Sequence, residues 1–353
     1  MRMNRAEQIE VDQMSRVLVT GAGGYIGTRL VAELLALGNE VTAYDRFFFG
    51  VDTLNKLRDN TNLKIVTKDI RDIEERDLEG IDAVCDLAAL SNDPSGEMDP
   101  QLTEAINRRG RVRVATVAKN AGVSRYVLSS SCSVYGAGLE TNLTEESNTD
   151  PLTTYARSTL KAEEETFELC DDSFSVTALR NATVFGLSER MRFDLVVNLM
   201  TLHAVQKSQI IVMGGGKQWR PLVHVSDVAQ AFIKMIECPI EKVSGEVFNI
   251  GLENFQILGI AYLVRETLPF HIQIEIAPDD HDRRNYSVSF EKARNVVGFE
   301  AAVSIAQGTT EIYEALKTGK TDNKTVTSTV NWYREILAAK ELVDRIELDG
   351  RIL

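Results

Sequence analysis

The sequence predicts an α/β protein in which a doubly wound parallel sheet carries a smaller C-terminal α/β lobe. Short strand-like runs alternate with segments of helical period, and these runs are apolar throughout rather than at every second residue. Such strands are typical of a parallel sheet that helices cover on both faces. A glycine-rich turn joins the first run to the first helix, as in a strand-helix-strand unit.

Seven strands are predicted, and four helices lie between or after them. The predicted strands are 16–20, 41–44, 63–66, 83–87, 126–129, 176–179 and 247–250, and the predicted helices are 28–37, 101–119, 155–168 and 225–236. Near residue 187 the alternation changes to a helix, 193–205, followed by a strand and a glycine turn. A second lobe is therefore expected to begin there.

The chain is divided accordingly into three parts. Residues 16–186, with 223–251 returning to them, form the predicted cofactor domain, and 187–222 with 252–316 form the second lobe. Residues 317–323 are polar and are predicted to be a linker. Helical periodicity returns at 327–346, so 317–353 is predicted to be a C-terminal helical appendage.

Composition and charge exclude several classes of protein. With 353 residues, 44% hydrophobic and 26% charged, the chain is too long for one minimal module and has an average globular composition. Its 39 basic and 52 acidic residues give a net charge of -13, which argues against a nucleic-acid partner. The first fifteen residues are too polar for a signal peptide, and no apolar run reaches the ~18 residues of a membrane span. A cytoplasmic protein is expected.

Cysteine and histidine spacing gives no support for a metal site. The four cysteines contain no C-x-x-C pair, and the four histidines are scattered along the chain. Neither a disulfide framework nor a thiolate zinc site has this pattern. No metal is therefore predicted.

The first glycine turn predicts a dinucleotide site. Gly21, Gly24 and Gly27 follow a strand and open a helix, where glycines allow a backbone to approach a pyrophosphate. Asp45 ends the second strand 24 positions after Gly21, where its carboxylate can accept the adenosine ribose hydroxyls. A tight turn with a surface aspartate is the structural alternative. Asp45 disfavours a 2′-phosphate and so favours NAD, although Arg46 could pair with that phosphate and keeps NADP as an alternative.

Other strand ends add candidates for cofactor binding. Residues 68–70, Lys-Asp-Ile, follow the third strand and can reach the adenine edge. Residues 88–90, Ala-Ala-Leu, end the fourth strand, where small residues admit the cofactor; plain packing or a loop is an equal alternative for both segments. The full predicted cofactor-binding set is Gly21, Gly24, Tyr25, Ile26, Gly27, Asp45, Arg46, Asp69, Ile70, Leu87, Ala88, Ala89 and Ser129.

Ordered motifs from residue 16 to about 317 carry a family resemblance. They are TGAGGYIG at 20–27, DIRD at 69–72, LAAL at 87–90, SSSCSVYG at 129–136, PLTTYARS at 151–158, LRNATVFG at 179–186, RPLVHVSDVA at 220–229 and VFNIG at 247–251. This pattern resembles the extended short-chain dehydrogenase/reductase family, in particular the nucleotide-sugar epimerases and dehydratases, and is closest to the 4-epimerases. The resemblance implies a Rossmann-type NAD(P) domain, a lobe for a nucleoside-diphosphate sugar, and a homodimer.

The resemblance also implies a catalytic pair and shows one departure from the family. Family members use a tyrosine to abstract a proton from a sugar hydroxyl, a serine or threonine that bonds the same oxygen, and a lysine four residues after the tyrosine. Tyr155 and Ser131 match the first two, whereas Thr159 stands where the lysine is expected, and the predicted catalytic set is Ser131, Tyr155 and Thr159. Lys161, six residues after Tyr155, points well round the helix.

Three hypotheses follow from Thr159. Tyr155 works with Ser131 and the nicotinamide charge alone; or a distortion of the helix brings Lys161 to the site; or the chain binds cofactor and sugar without turnover. Some form of catalysis is favoured, because the tyrosine, the serine and the glycine turn of the family pattern are all present.

Two further features concern the substrate. Cys132 and Ser133 follow Ser131, where the family's 4,6-dehydratases carry an Asp-Glu pair, which weakens a dehydratase assignment. Cys132 is expected to be a small buried residue rather than a reactive thiol. By resemblance, Asn198, Arg220 and Arg283 are predicted to bind the sugar-nucleotide diphosphate, with solvated side chains as the alternative.

The predicted function is an NAD-dependent nucleoside-diphosphate-sugar epimerase. Inversion at C4 through a transient 4-keto sugar is the favoured form, with Tyr155 as acid and base. The alternatives are a nucleotide-sugar ketoreductase or dehydratase on the same scaffold, and a catalytically weak NAD-binding protein.

Overall fold

The computed structural model describes residues 14–136, 142–278 and 285–351. In chain order its strands are Arg16–Thr20 (β1), Glu40–Asp45 (β2), Leu63–Thr67 (β3), Ala83–Asp86 (β4), Arg125–Ser131 (β5), Ser175–Asn181 (β6), Thr183–Phe185 (β7), Gln209–Met213 (β8), Trp219–His224 (β9), Glu246–Ile250 (β10), Glu253–Gln256 (β11) and Gln273–Ala277 (β12). Its α-helices are Tyr25–Ala36 (α1), Asp93–Gly96 (α2), Pro100–Thr103 (α3), Arg111–Asn120 (α4), Thr154–Phe167 (α5), Val196–Lys207 (α6), Val225–Glu237 (α7), Ile257–Thr267 (α8), Ile305–Lys317 (α9) and Thr329–Ile346 (α10).

Seven strands form one parallel sheet in the order β10-β6-β5-β4-β1-β2-β3. These are the seven strands that the sequence predicts, so the predicted fold class is confirmed. The strand order reverses direction at β1, which lies between β2 and β4. In doubly wound sheets, ligands bind beyond the carboxyl ends of the strands at such a point.

Helices cover both faces of this sheet. Val17 and Val19 of β1 pack on the face that α1 and α7 cover, whereas Leu18 packs on the opposite face with α4. All three side chains are fully buried. The continuous apolar runs of the sequence are therefore explained by burial on both faces.

The predicted helix 101–119 is interrupted in the structure. After α3 the chain forms a π-helical segment, Glu104–Gly110, before α4 begins. Within it, the Asn107 side chain accepts a hydrogen bond from the Leu90 amide at 2.8 Å and donates to the Leu90 carbonyl at 3.1 Å. The π-helical turn, which is wider than an α-helical turn, coincides with these two buried hydrogen bonds. The bonds fix the position of the segment after β4.

The second lobe has its own strands and core. It contains a three-stranded sheet in the order β11-β9-β7 and a parallel pair of β8 and β12, with an apolar cluster between these strands and α6, α8 and α9. The predicted helix 193–205 begins three residues later than expected, at Val196. None of the described helices is both long and apolar enough to span a bilayer.

A buried ion pair lies beneath the carboxyl ends of β4 and β5. The carboxylate of Asp86 is fully buried and pairs with the equally buried guanidinium of Arg111 at 3.3 Å. Arg111 also donates through Nη2 to the Asp86 carbonyl at 2.9 Å and to the Ser129 carbonyl at 2.8 Å. The hydroxyls of Thr20 and Tyr126 donate to the two carboxylate oxygens.

Removing one partner of this pair is expected to destabilise the fold strongly, because the other charge is then buried without compensation. Arg111→Met should lower the free energy of unfolding by about 3–5 kcal/mol, measured by urea denaturation. The double variant Asp86→Asn with Arg111→Met should lose less than Arg111→Met alone. Equal losses in the single and double variants would show that the ion pair does not set the cost.

Candidate active site

A cavity lies beyond the carboxyl ends of the central strands, and every residue of the predicted cofactor-binding set lines it. Ser131 and Tyr155 of the predicted catalytic set line the same cavity. The topology therefore brings the glycine turn, the second-strand acid and the Ser-Tyr pair to one place, although they are distant in the sequence.

The glycine turn has no room for side chains. Gly21 has a φ of +67°, and a Cβ there would lie 2.8 Å from the Ala88 amide nitrogen. A Cβ at Gly27 would lie 2.1 Å from the Gly21 carbonyl oxygen. Gly24 precedes α1, and no side chain of the described residues caps that helix end. The backbone amides of the first turn thus stay available to an anionic group, and the cradle fits a dinucleotide pyrophosphate.

Asp45 is held in place by backbone amides. Its carboxylate accepts hydrogen bonds from the Gly23 amide at 3.0 Å and from the Phe47 amide at 2.6 Å. Burial raises the pKa of Asp45, and these amide hydrogen bonds oppose the rise. The acid is therefore fixed beside the glycine turn, where an adenosine ribose would lie.

Arg46 and Asp69 engage each other rather than extending freely into the cavity. Their side chains form an ion pair at 3.1 Å, and Arg71 also pairs with Asp69, at 2.7 Å. Burial acts to raise the pKa of Asp69, but the hydrogen bonds and charges of Arg71 and Arg46 lower it to about 2. Asp69 is accordingly an anion at neutral pH.

Tyr155 lies in the first turn of α5, against the end of β5. Thr153 caps the helix by accepting a hydrogen bond from the Ala156 amide at 3.1 Å. Burial raises the pKa of the Tyr155 phenol and the charge of Asp93 adds to the rise, whereas Ser131 and the charges of Arg111 and Arg192 act to lower it. Ser131 Oγ is itself oriented by accepting from the Ser133 amide at 3.2 Å.

No lysine takes part in this arrangement within the described residues. Thr159 is 1% exposed, does not line the cavity, and its hydroxyl has no hydrogen-bond partner among the described residues. Lys161 is exposed on the other side of α5, which is a continuous α-helix. The hypothesis that a distortion brings Lys161 to the site is therefore wrong.

The turn after Thr159 fixes α5 to the sheet. Glu163 forms a buried ion pair with Arg180 of β6 at 2.5 Å and accepts from the Ser130 hydroxyl at 2.6 Å. Arg180 also donates to the Tyr135 hydroxyl at 2.9 Å. This pair sets the position of the helix that carries Tyr155.

Cys132 has the buried environment that the sequence favours. It is 1% exposed, and its thiol donates to the Arg180 carbonyl at 3.1 Å. Burial raises the pKa of the thiol well above its ordinary value, so the sulfur stays protonated. Neither Cys132 nor Ser133 is an acid that could protonate a leaving hydroxyl.

The structure gives the predicted substrate residues different places. Asn198 is fully buried, and its amide bonds the Gly186 amide, the Tyr25 hydroxyl and the Arg192 carbonyl at 2.9–3.1 Å. It therefore joins the two lobes rather than contacting a diphosphate, because its hydrogen-bonding groups are already used. Arg220 is buried 5.9 Å from the ring centroid of Tyr286, a cavity-lining residue. A diphosphate contact by Arg220 stays a prediction, and Arg283 lies outside the described residues.

Sequence reasoning missed several cavity-lining residues. They include Phe48, Phe49, Arg190 and Tyr333, and Arg192 is predicted only as a cation of the second lobe. The aromatic run directly after Arg46 is a local signal that could have found the two phenylalanines. Nothing near Tyr333 in the sequence indicates the cofactor site, because only the folding of the chain brings it there.

Comparisons with known proteins agree with this geometry. UDP-glucuronic acid decarboxylase 4 of Arabidopsis thaliana is 30% identical over 309 residues, which are 83% of this chain and 66% of that protein. The chain thus spans about two thirds of the length of this relative. The structure of MoeE5 in complex with UDP-glucuronic acid and NAD is 27% identical, with a TM-score of 0.76 over 86% of this chain and 99% of that one.

A UDP-glucose 4-epimerase from Thermotoga maritima has the same fold, with a TM-score of 0.78 at 24% identity over 87% of this chain and 100% of that one. Residues 17–251 match the model of the NAD dependent epimerase/dehydratase family. That match confirms both the predicted resemblance and NAD as the predicted cofactor. The chain belongs to the NAD dependent epimerase/dehydratase family.

Proposed function

We propose that this chain is an NAD-dependent epimerase of nucleoside-diphosphate sugars that inverts C4. The observation that carries the proposal is that Ser131, which acts to lower the pKa of Tyr155, and Tyr155 itself line the same cavity as the glycine cradle. A sugar hydroxyl beside this pair would lie within reach of both a proton acceptor and the cofactor.

Tyr155 is the proposed acid and base. As a phenolate it takes the proton of the sugar hydroxyl, and as a phenol it returns that proton when the hydroxyl forms again. Ser131 donates a hydrogen bond that stabilises the phenolate and orients the substrate oxygen. NAD, when held by the glycine cradle and Asp45, supplies the acceptor and later the donor of the hydride from the same sugar carbon.

The phenolate must form here without a lysine on the side of α5 that carries Tyr155. The cations that act on Tyr155 are Arg111, behind β4 and β5, and Arg192, in the cavity wall. Each is already paired with a carboxylate, Asp86 and Asp194 respectively, which weakens its effect. The proposed base is therefore weakly activated, and we propose that turnover rises with pH up to at least the ordinary phenol range, near a pH of about 10.

UDP-sugars are the proposed substrate class, and a decarboxylase is a second candidate. The Arabidopsis relative at 30% identity is a UDP-glucuronic acid decarboxylase, and the MoeE5 structure holds UDP-glucuronic acid. Both reactions can begin with the same proton abstraction, since a 4-keto uronic acid loses carbon dioxide readily. The missing Asp-Glu pair after Ser131 makes 4,6-dehydration the weaker candidate.

Product analysis on purified protein with NAD tests these possibilities. UDP-glucuronic acid and UDP-glucose are supplied separately, and the products are identified by NMR. A C4 epimer with the carboxylate or hydroxymethyl group intact supports the proposal, whereas released carbon dioxide with a UDP-pentose identifies a decarboxylase. In a parallel incubation with NADH in place of NAD, stoichiometric NADH consumption identifies a reductase, and bound sugar without any product in either incubation identifies a silent binding protein.

Replacing the proposed base should abolish turnover while leaving cofactor binding intact. Tyr155→Phe removes only the hydroxyl, so kcat should fall by about 10²–10⁴-fold and NAD affinity should stay within twofold, measured by steady-state kinetics and isothermal titration calorimetry. Unchanged kcat in this variant would contradict the assignment of Tyr155.

A cation at position 159 should move the pH profile towards acid. A lysine one helical turn from Tyr155 stabilises the phenolate and lowers its pKa, so the base is present at lower pH. For Thr159→Lys the acidic limb of the kcat/KM profile should shift down by about one to two pH units.

Two variants control for this shift. Thr159→Met is as long as the lysine but uncharged, so it separates the effect of volume from that of charge. Lys161→Met removes an exposed cation from the opposite side of α5 and should leave the profile unchanged. An equal shift in Thr159→Met would show that charge is not the cause.

A further inference from the structure

The C-terminal helix α10 packs over the cofactor cavity although it lies outside the region that matches the family, 17–251. The indole of Trp332 donates a hydrogen bond to the Phe48 carbonyl at 2.6 Å. Tyr333, the next residue, lines the cavity. The helix therefore contacts the loop that directly follows Asp45 and Arg46.

The start of α10 is also tied to the segment after β7. The Thr329 amide donates to the Asp194 carboxylate at 3.2 Å, and the Phe193 amide donates to the Thr327 carbonyl at 2.8 Å. Arg190 donates through Nη2 to the Thr329 hydroxyl at 2.9 Å. Contacts from two separate cavity-lining segments thus fix the first two turns of the helix.

An aromatic wall results on the adenosine side of the cavity. The ring of Tyr333 lies 5.7 Å from that of Phe49 and 6.4 Å, edge on, from that of Phe48. Burial raises the pKa of Tyr333 to about 12, with Arg190 opposing and Asp45 adding to the rise. The ring is therefore neutral and close to the proposed ribose-binding carboxylate. Planar aromatic faces of this kind bind a purine base by stacking.

Arg190 adds an unsatisfied donor to the same wall. Its guanidinium stacks on Phe49 at 3.6 Å and is 4% exposed, yet its Nε has no hydrogen-bond partner among the described residues. A buried donor without an acceptor is unfavourable, and a ligand oxygen in the cavity would satisfy it. The aromatic rings of the wall thus suit a planar ring of a ligand, and the Nε donor of Arg190 suits an acceptor oxygen of the same ligand.

We infer that α10 forms the adenosine-side wall of the cofactor site, with Tyr333 and Arg190 as direct contacts to the adenosine half of NAD. The inference rests on the proposed use of NAD by this chain. It gives the C-terminal appendage a binding function: the wall slows release of the cofactor. The remaining turns of α10 are not required for this, since Leu342, for example, is 48% exposed.

The experiment measures cofactor affinity in the full-length chain, independently of turnover. Tyr333→Ala is compared with the original protein by isothermal titration calorimetry against NAD, AMP and nicotinamide mononucleotide. Affinity for NAD and AMP should fall by about ten- to hundredfold, the range of one base-aromatic stacking contact, while affinity for nicotinamide mononucleotide stays within twofold. The rate of NAD release in stopped-flow should rise by a similar factor.

Matched variants separate stacking from folding. Tyr333→Phe keeps the ring and should keep NAD affinity within about threefold, whereas Tyr333→Leu keeps apolar volume without a ring and should behave like the alanine variant. Leu342→Ala, on the exposed part of the same helix, should change nothing. Circular dichroism melting identifies any variant whose fold is lost. The difference in NAD affinity between Tyr333→Phe and Tyr333→Leu then shows whether the aromatic ring is required.

Three outcomes overturn the inference. NAD affinity within twofold of the original in both Tyr333→Ala and Tyr333→Leu shows that the wall does not contact the cofactor. Equal losses for AMP and nicotinamide mononucleotide show a general disturbance of the cavity. Failure of the original protein to bind NAD overturns the proposed function as well, so the two proposals fail in distinguishable ways.

Discussion

The buried carboxylate of Asp86 holds together the carboxyl ends of the central strands, and the whole site lies beyond these strand ends. It receives the Thr20 hydroxyl from the end of β1 and the Arg111 guanidinium from α4. Thr20 Oγ1 in turn accepts the Leu87 and Ala88 amides at 3.1 and 3.2 Å. These contacts hold the end of β4 against the start of the glycine turn, where a single Cβ on Gly21 would clash with Ala88. The close approach of those two strand ends is what leaves a cofactor-sized cleft above them.

This constraint has an electrostatic consequence for the base. Arg111 joins the Asp86 cluster to the Ser129 carbonyl, two residues before Ser131, so its charge lies behind the catalytic strand rather than beside Tyr155. A charge in a buried, weakly screened region acts over a longer distance than one in water, but its own counter-ion cancels part of that effect. If Tyr155 is the base, as proposed, the charges that favour its phenolate act from Arg111 on the sheet side and from Arg192, whereas the lysine of family members acts from the helix. Because burial raises the pKa of Tyr155, the proposed base is expected to form mainly at high pH.

Local signals explain what the sequence could predict, and tertiary contacts explain what it could not. The seven strands and the glycine turn follow from apolar periodicity and glycine spacing, which depend on neighbouring residues alone. Helical geometry predicts that Lys161 points away from Tyr155, and the exposure of Lys161 in the described part of α5 agrees with this. Asn198 is different, because its motif position suggests a ligand contact while its three internal hydrogen bonds depend on residues of both lobes. The π-helical segment likewise depends on Leu90, which no pattern within 101–119 reveals.

The proposed wall and the proposed reaction constrain each other. An epimerase returns the hydride to the sugar from which it came. Its oxidised cofactor is therefore regenerated in the site and does not need to be released in each turnover. A reductase must release oxidised cofactor and bind reduced cofactor in every turnover, so a wall that slows exchange would limit its rate. The aromatic enclosure by α10 is therefore compatible with epimerisation and unfavourable to net reduction. The same enclosure suits a weakly activated base, because a tightly held cofactor keeps the site assembled through a slow proton transfer. On these grounds the C-terminal helix, which lies beyond the region of the family match, favours the proposed epimerase over a reductase.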